Sequence, residues 1–265
     1  MQPRRNILRP RSFNNYGFNG FARPDVIGTP EGLYRLKSVK IWGILWLNVL
    51  LLIFVSLGYT AELSLGGGGT YWKPTLTTFE EKILRPRGVI LKRTDVLPKG
   101  NLKVNFSGGT AITLGICQWK GNVSHNDTTY KISLIPLTST GSYVFSFTPK
   151  PYDFYVGGGV NYTLASFETK VSDKFLKAKG EGTAFYLLGG VEFYLIGFPL
   201  SLTLEGGYGF GKVPKLNIKE DTIDPNRIGT HLFYDENGHW GITSGKDLPL
   251  ELDGVIAEVM LRYYF

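Results

Sequence analysis

Cysteine and histidine are scarce in this sequence, with one cysteine and three histidines among 265 residues. The single cysteine, Cys117, excludes an internal disulfide framework and a zinc site with four thiolate ligands. No two histidines share a strand or helix at a ligand spacing, so we expect no metal site and no cofactor. Charged residues are also few, at 19%, whereas aromatic residues reach 14%. This composition is too hydrophobic for a disordered chain.

The net charge of +7 is concentrated in one part of the chain. Residues 1–40 carry eight basic and two acidic residues, and the rest of the chain carries 21 basic and 20 acidic residues. The body of the protein is therefore nearly neutral. Because it lacks a basic face, we expect no nucleic-acid partner.

One long hydrophobic run, residues 41–57, follows two lysines and precedes small residues up to Ala61. This order predicts a secretory signal peptide at 37–61, cleaved near Ala61. An uncleaved transmembrane anchor is the alternative, because the run is longer than the usual apolar part of a signal peptide. Residues 1–36 show no structural pattern, and we interpret them as a disordered leader or as the product of a mis-assigned start.

Glycine is abundant and follows the pattern of strands. The 34 glycines are about twice the usual share of roughly 7%, and they lack the collagen period. After residue 61, apolar and polar residues alternate. In the last segment Val259 and Leu261 fall on one face, while Glu258 and Arg262 fall on the other. Successive side chains of a strand point to opposite faces, so the alternation predicts strands with one apolar face.

The same alternation recurs in eight segments, which are joined by connections of unequal length. These connections are predicted at 76–100, 108–110, 123–128, 148–152, 167–181, 197–199 and 217–252. Alternating long and short connections are typical of an outer-membrane barrel, which has short periplasmic turns and longer outer loops. An even number of strands places both ends of the barrel on the periplasmic side. Within the segment 129–147 we expect a bulge at Pro136, because proline cannot donate a ladder hydrogen bond.

The predicted fold is an all-β, eight-stranded antiparallel transmembrane β-barrel over residues 62–265, in the cell outer membrane of a Gram-negative bacterium. A sheet in lipid must close on itself, since its edge N–H and C=O groups cannot stay unpaired. Eight strands leave a lumen just wide enough for side chains, and inward glycines make room for larger neighbours. The alternative is a soluble lipocalin-like barrel or a β-sandwich, in which the apolar face would point inward.

Charged residues on the predicted inward face form a candidate lumenal network. Its members are Lys103, Glu192, Glu205, Glu258 and Arg262. A basic residue that faces lipid near the midplane costs about 2–4 kcal/mol, and charges inside the barrel should be paired. The network is either a constriction that selects solutes or a static plug that braces the barrel. The other predicted lumen-lining residues are Trp72, Tyr155, Asn161, Tyr186, Tyr194, Met260 and Tyr264.

Ser124 and His125 are the pair that could suggest a nucleophile and its base. Adjacent residues on an extended chain point apart, and the following Asn126-Asp127 has the composition of a turn. We therefore expect no catalytic residues and no enzyme activity.

Two segments resemble the outer-membrane protein W family. One is residues 135–143, which contains a proline, and the other is residues 155–163, which reads Tyr-Val-Gly-Gly-Gly-Val-Asn-Tyr-Thr. The resemblance spans roughly residues 130–265, and the terminal Phe265 is similar to the signal that the barrel-assembly machinery reads. It implies an eight-stranded barrel with a narrow, rather apolar channel for small hydrophobic compounds. The two long loops and the leader depart from the family.

We expect the protein to be porin-like, giving passive passage to small hydrophobic molecules or binding them. The alternative is a structural or adhesive barrel with a filled lumen, which acts through loops 76–100 and 217–252. Expected partners are outer-membrane lipid, the barrel-assembly machinery and small hydrophobic solutes. A continuous tunnel would favour passage, whereas a lumen filled by side chains would favour the structural role.

Overall fold

A computed structural model of the protein describes residues 61–93, 96–146, 151–235, 239–242 and 245–265. The leader at 1–36 and the predicted signal peptide lie outside these residues, except for Ala61, where the first strand begins. In the described part, no helix is long and apolar enough to cross a membrane.

The described residues form mainly β-strands. In chain order these are β1 (Ala61–Trp72), β2 (Lys92–Arg93), β3 (Val96–Phe106), β4 (Thr110–Cys117), β5 (Trp119–His125), β6 (Thr128–Ser146), β7 (Tyr152–Val171), β8 (Lys174–Tyr194), β9 (Leu200–Val213), β10 (Asn217–Asp221), β11 (Phe233–Tyr234), β12 (Trp240–Ile242), β13 (Lys246–Asp247), β14 (Leu250–Glu251) and β15 (Gly254–Tyr264). A helical segment joins β1 to β2 and consists of α1 (Thr77–Phe79), a π-helical turn (Glu80–Leu84) and a 3-10 turn (Arg85–Arg87). A further 3-10 turn spans Pro225–Arg227.

Eight strands close into a barrel. Strands β1, β3, β4, β6, β7, β8, β9 and β15 each pair antiparallel with the next, and β15 pairs with β1 to complete the ring. The pairing of β8 with β9 closes the other side of the same ring. Strand β5 continues β4 along β6. The predicted eight-stranded antiparallel barrel is therefore confirmed.

The outer face of the barrel is apolar, as a membrane-spanning barrel requires. On β7, Phe154 and Val156 are exposed, while the alternate residues Tyr155 and Asn161 are buried inside. The same division holds on β9, where Leu204 faces out. A soluble barrel or sandwich would have the opposite polarity, so that alternative is wrong. An even-stranded antiparallel barrel with this outer surface belongs in an outer membrane.

Strands β6, β7 and β8 continue far beyond the membrane and reverse their polarity there. They contain 19, 20 and 21 residues, although a tilted strand needs only about 9–11 to cross a membrane. Beyond Thr163 on β7 the inward residues become apolar, as at Phe167, and the outward ones become polar, as at Lys170. The prediction of a loop at 167–181 is therefore wrong, because these residues form a hairpin that turns at Ser172, with φ 52°.

An apolar core fills the end of the barrel that carries these extensions. We use the name cap for this end, which consists of the strand extensions, the helical segment and the connection between β9 and β15. Its inward strand residues pack against the helical segment and against the long connection between β9 and β15. Phe79 of α1 meets Phe167 of β7 edge to face, with ring centroids 5.7 Å apart. The predicted loops 76–100 and 217–252 are thus mostly structured, and the former ends within β3. The opposite end carries both barrel termini and has short turns, such as 107–109 and 195–199.

The predicted bulge at Pro136 is wrong. The register between β6 and β7 runs without a shift from Thr128 to Ser146. The interruption lies instead in the strand on the other side of β6. There β4 ends at Cys117 and β5 begins at Trp119, beside Pro136. Proline has no N–H to donate, so the break between β4 and β5 accommodates it.

Candidate functional site

Four strands bring the charged residues of the sequence prediction together in the lumen. Lys103 lies on β3, Glu192 on β8, and Arg262 on β15, and each side chain is at most 4% exposed. Strand alternation directs them inward, because their sequence neighbours face lipid. The barrel thus positions opposite charges across its axis from strands that are far apart in the chain.

Glu192 is the centre of the first cluster, near the end that carries the termini. Lys103 Nζ lies 2.5 Å from Glu192 Oε2. The other carboxylate oxygen accepts hydrogen bonds from Ser201 Oγ and Tyr264 Oη, each at 2.5 Å, and lies 3.8 Å from Arg262 Nε. Hydrogen bonds to both oxygens, together with two cations, satisfy this buried carboxylate.

Arg262 connects Glu192 to the polar residues around it. Its Nε donates to Thr203 Oγ1 at 3.0 Å, and its Nη1 donates to Asn101 Oδ1 at 2.9 Å. Gly66 makes room for the guanidinium, since a Cβ there would lie 3.2 Å from Arg262 Cγ and closer still to Asn101. An inward glycine is thus a packing requirement of the network.

A second cluster lies closer to the cap. Lys99 Nζ donates to Glu258, which also accepts a hydrogen bond from Thr70 Oγ1 at 3.3 Å. Glu205 stands directly opposite Glu258 in the register of β9 and β15, and it accepts a hydrogen bond from Tyr155 Oη at 3.0 Å. Lys103 connects the two clusters, because its Nζ lies 5.2 Å from the centre of the Tyr155 ring.

Lys99 was missed at the sequence level because it fell inside the predicted loop 76–100. The alternation of Lys99, Asn101 and Lys103 carries the signal that could have found it, since all three lie on one face of β3. With Lys99 included, the two clusters hold three cations and three carboxylates. Lys103 and Arg262 lie beside Glu192, and Lys99 lies beside Glu258, whereas Glu205 forms no ion pair within the described residues.

The predicted lining residues lie on the inner wall. Trp72, Tyr155, Asn161, Tyr186, Met260 and Tyr264 are buried, and Tyr194 is partly buried. Tyr194 Oη donates to Asp153 at 2.9 Å, and its ring lies 5.8 Å from that of Tyr264. A cavity of about 30 Å³ remains between the second cluster and the cap, with Trp72, Cys117, Leu188 and Ile256 in its wall. This is room for one or two water molecules.

The cap closes the barrel above this cavity. Trp119, Leu134 and Leu176 come from the strand extensions and are fully buried, as are Ile83 of the helical segment and Leu250 of β14. Polar contacts fasten the segments to one another. Thr78 donates its backbone N–H to Glu251 at 3.2 Å, and Arg93 donates to the Pro74 carbonyl oxygen at 2.7 Å while it pairs with Glu80. A groove of about 730 Å³ beside the helical segment is open to the outside.

The structure places Ser124 and His125 at the tip of the β5–β6 hairpin, where both are exposed. Ser124 Oγ lies 3.1 Å from Thr129 Oγ1. Within the described ranges, no three His, Cys, Asp or Glu residues lie close enough to hold a metal ion.

No family model matches the chain, and no curated protein matches it. Among solved structures, Neisserial surface protein A is similar, with a TM-score of 0.38 and 10% identity, over 78% of this chain and 99% of that one. The translocator domain of the autotransporter NalP from Neisseria meningitidis has a TM-score of 0.34 and 15% identity, over 86% and 98%. Outer-membrane expressed OmpT of Vibrio cholerae has a TM-score of 0.17 and 9% identity, over 77% of each chain. Such distant likenesses carry no argument, and the resemblance to the outer-membrane protein W family remains a resemblance.

Proposed function

We propose that this protein is a closed outer-membrane barrel, in which the transmembrane part anchors the cap and the cap is the working part at the cell surface. The observation that carries the proposal is the filled interior. Six charged side chains occupy the lumen, where Lys103 and Arg262 lie beside Glu192, and Lys99 lies beside Glu258. Glu205 is hydrogen-bonded to Tyr155, and the apolar core of the cap lies above all six. The cavity between these charges and the cap, about 30 Å³, is far smaller than a typical small-molecule pocket of about 300–1,000 Å³.

The cap has the properties of a folded surface domain. Its core contains large, fully buried side chains, among them Trp119, Phe79 and Phe167. Its strands are held in register to the tip of the β7–β8 hairpin, where Val171 pairs with Lys174. A rigid surface of this kind is suited to binding a partner, because little conformational entropy is lost on association.

Passage or binding of small hydrophobic molecules is the second candidate. The observation that favours it is the apolar part of the cavity wall, formed by Trp72, Leu188 and Ile256. A solute could enter only if the helical segment or the β9–β15 connection moved out of the cap. We also propose that the protein catalyses no reaction.

We further propose that Phe265 is read by the barrel-assembly machinery. Its side chain is 73% exposed at the end of β15, and its backbone N–H donates to the Leu63 carbonyl oxygen at 3.0 Å. The aromatic side chain therefore lies on the outer face, while the backbone of Phe265 is bonded to β1, the strand that closes the barrel with β15.

A conductance measurement tests the closed barrel. The purified chain is inserted into a planar lipid bilayer, and an open porin serves as the positive control. We expect no steady conductance, because ion pairs and the cap obstruct the lumen. A reproducible open level from the wild-type chain would overturn the proposal and favour passage.

A labelling experiment tests the orientation. Because Cys117 is buried, a single exposed cysteine can be introduced at the cap in Ser172→Cys, or at the opposite turn in the matched variant Ser107→Cys. With a membrane-impermeant maleimide on intact cells, we expect label only on the cap variant. Label only on Ser107→Cys would show that the cap faces the periplasm.

A further inference from the structure

The outer surface of the cap carries a cluster of lysines next to the apolar belt, which we call the lysine patch. It consists of Lys179 on β8, Lys212 on β9, Lys215 in the following connection and Lys219 on β10, and all four are exposed. Each has a buried apolar sequence neighbour in the core of the cap: Ala178, Val213, Leu216 and Ile218 are at most 1% exposed. Because those neighbours fix the faces of the strands, the lysines are held on the outside.

Strand pairing brings the patch together. Lys179 on β8 pairs with Asn217 on β10, two residues before Lys219. Lys212 on β9 pairs with Thr183 on β8. The backbone of Lys215 lies against Gly180, the residue next to Lys179. The four amino groups are therefore presented on one side of the barrel, over β8, β9 and β10.

These amino groups lack ion-pair partners within the described part of the chain, whereas the carboxylates around them are engaged. Glu181 accepts a hydrogen bond from Tyr162 Oη. Glu220 lies 2.8 Å from Lys177 Nζ, and this hydrogen bond raises the pKa of Lys177. Glu181 keeps its charge, because the tyrosine hydroxyl is neutral, and Glu251 stands opposite Lys212 in the register of β14 and β9. Four lysines against these two carboxylates leave the patch with an excess of two positive charges.

The patch begins where the apolar belt ends. Phe185 and Phe210 stack on the outer face with ring centroids 6.1 Å apart, as is typical of the aromatic girdle at a membrane interface. Lys212 follows Phe210 by two residues, and Lys179 lies six residues beyond Phe185 on the same face. With a rise of about 3.3 Å per residue and a tilt of about 40°, they stand about 5 and 15 Å above the rings.

We propose that the lysine patch binds an anionic lipid of the surrounding leaflet whose large headgroup carries more than one phosphate. Lys212 stands at the height of a lipid phosphate that is next to the acyl chains. A headgroup layer is only about 5–8 Å thick. The other lysines therefore stand too far from the membrane to reach that phosphate. A second phosphate, farther out on a bulky headgroup, reaches them. The acyl chains of the same lipid lie against Phe185 and Phe210.

The test measures lipid binding to the folded full-length chain in neutral detergent by native mass spectrometry. The probes are diphosphoryl lipid A and monophosphoryl lipid A, with sodium tripolyphosphate as a soluble competitor. We expect the wild-type chain to prefer the diphosphoryl lipid. The triple variant Lys179→Gln/Lys212→Gln/Lys215→Gln should bind it at least tenfold more weakly, since a basic residue at an anionic surface contributes about fivefold.

The control variant, Lys120→Gln/Lys170→Gln/Lys174→Gln, removes the same charge from exposed positions scattered over the cap. It should bind lipid within threefold of the wild type. Equal losses in both triple variants, or equal affinity of the wild type for the two lipids, would overturn the proposal. Displacement of the lipid by tripolyphosphate at equal concentration would assign the patch to a soluble polyphosphate and overturn it as well. Added salt on the wild type gives an independent readout, because the preference for two phosphates should fall as salt rises.

Discussion

Neutralising Glu192 is the sharpest test of the lumenal network. In Glu192→Gln the buried Lys103 loses its charged partner, while Ser201 and Tyr264 lose an anionic acceptor. Removing one partner of a buried pair costs about 3–5 kcal/mol, because the remaining charge stays buried without compensation. We therefore expect Glu192→Gln to lower the free energy of unfolding by about 3–5 kcal/mol. Urea titration in lipid vesicles, followed by the heat-modifiable gel mobility of barrels, measures this change.

The matched control is Glu220→Gln, which breaks the exposed pair with Lys177 on the cap. Solvent screens an exposed pair, so its contribution to stability is small, and this variant should remain close to the wild type. A second control, Lys103→Met/Glu192→Gln, should recover part of the lost stability, since it removes the uncompensated cation. If Glu192→Gln and Glu220→Gln were equally stable, the argument that the lumen is filled by energetically coupled charges would be refuted.

Three further predictions concern the plug, the cap and the glycines. Glu205→Gln should cost little stability, because Glu205 faces Glu258 and a glutamine still accepts from Tyr155, and it should leave bilayer conductance unchanged. An increase in conductance would instead indicate a gate. Phe167→Ala should destabilise the cap by about 3–5 kcal/mol and speed cleavage of its hairpins by protease, whereas unchanged cleavage rates would contradict a cooperative core. Gly68→Ala should reduce the yield of folded barrel, because a Cβ there would meet the backbone of β15, while Gly67→Ala on the outer face has nothing within 4 Å to meet and should fold normally.

The filled lumen and the folded cap have one consequence for function. The interior of the transmembrane part is filled by two clusters, in which Lys99 pairs with Glu258, and Lys103 and Arg262 lie beside Glu192. Such an interior leaves little space for a solute. With the function that we propose, partners would bind the outside of the cap or the ring where the cap meets the membrane.

The alternation of apolar and polar residues determined the barrel by itself. Period-two patterning assigns each residue to a face, and in lipid a sheet with an apolar outer face has to close. The same pattern placed Glu192, Glu205, Glu258 and Arg262 inside, because no charge could be accommodated on the lipid side. Strand ends were predicted less well, since a strand that leaves the membrane keeps its period while its polarity reverses. For this reason the pattern predicts a loop at residues 167–181, although they form a hairpin.

Only the tertiary structure decided which inward residues meet. Lys103 and Glu192 are 89 residues apart, and Arg262 and Asn101 are 161 apart, so their pairing depends on the strand order and register of the closed ring. The local sequence pattern also does not predict the cap. Its core combines apolar residues of the helical segment, the strand extensions and the connection before β15. None of these segments can bury its apolar face alone. Whether the lumen is open depends on how those segments pack together, and patterning along one strand contains no information about that packing.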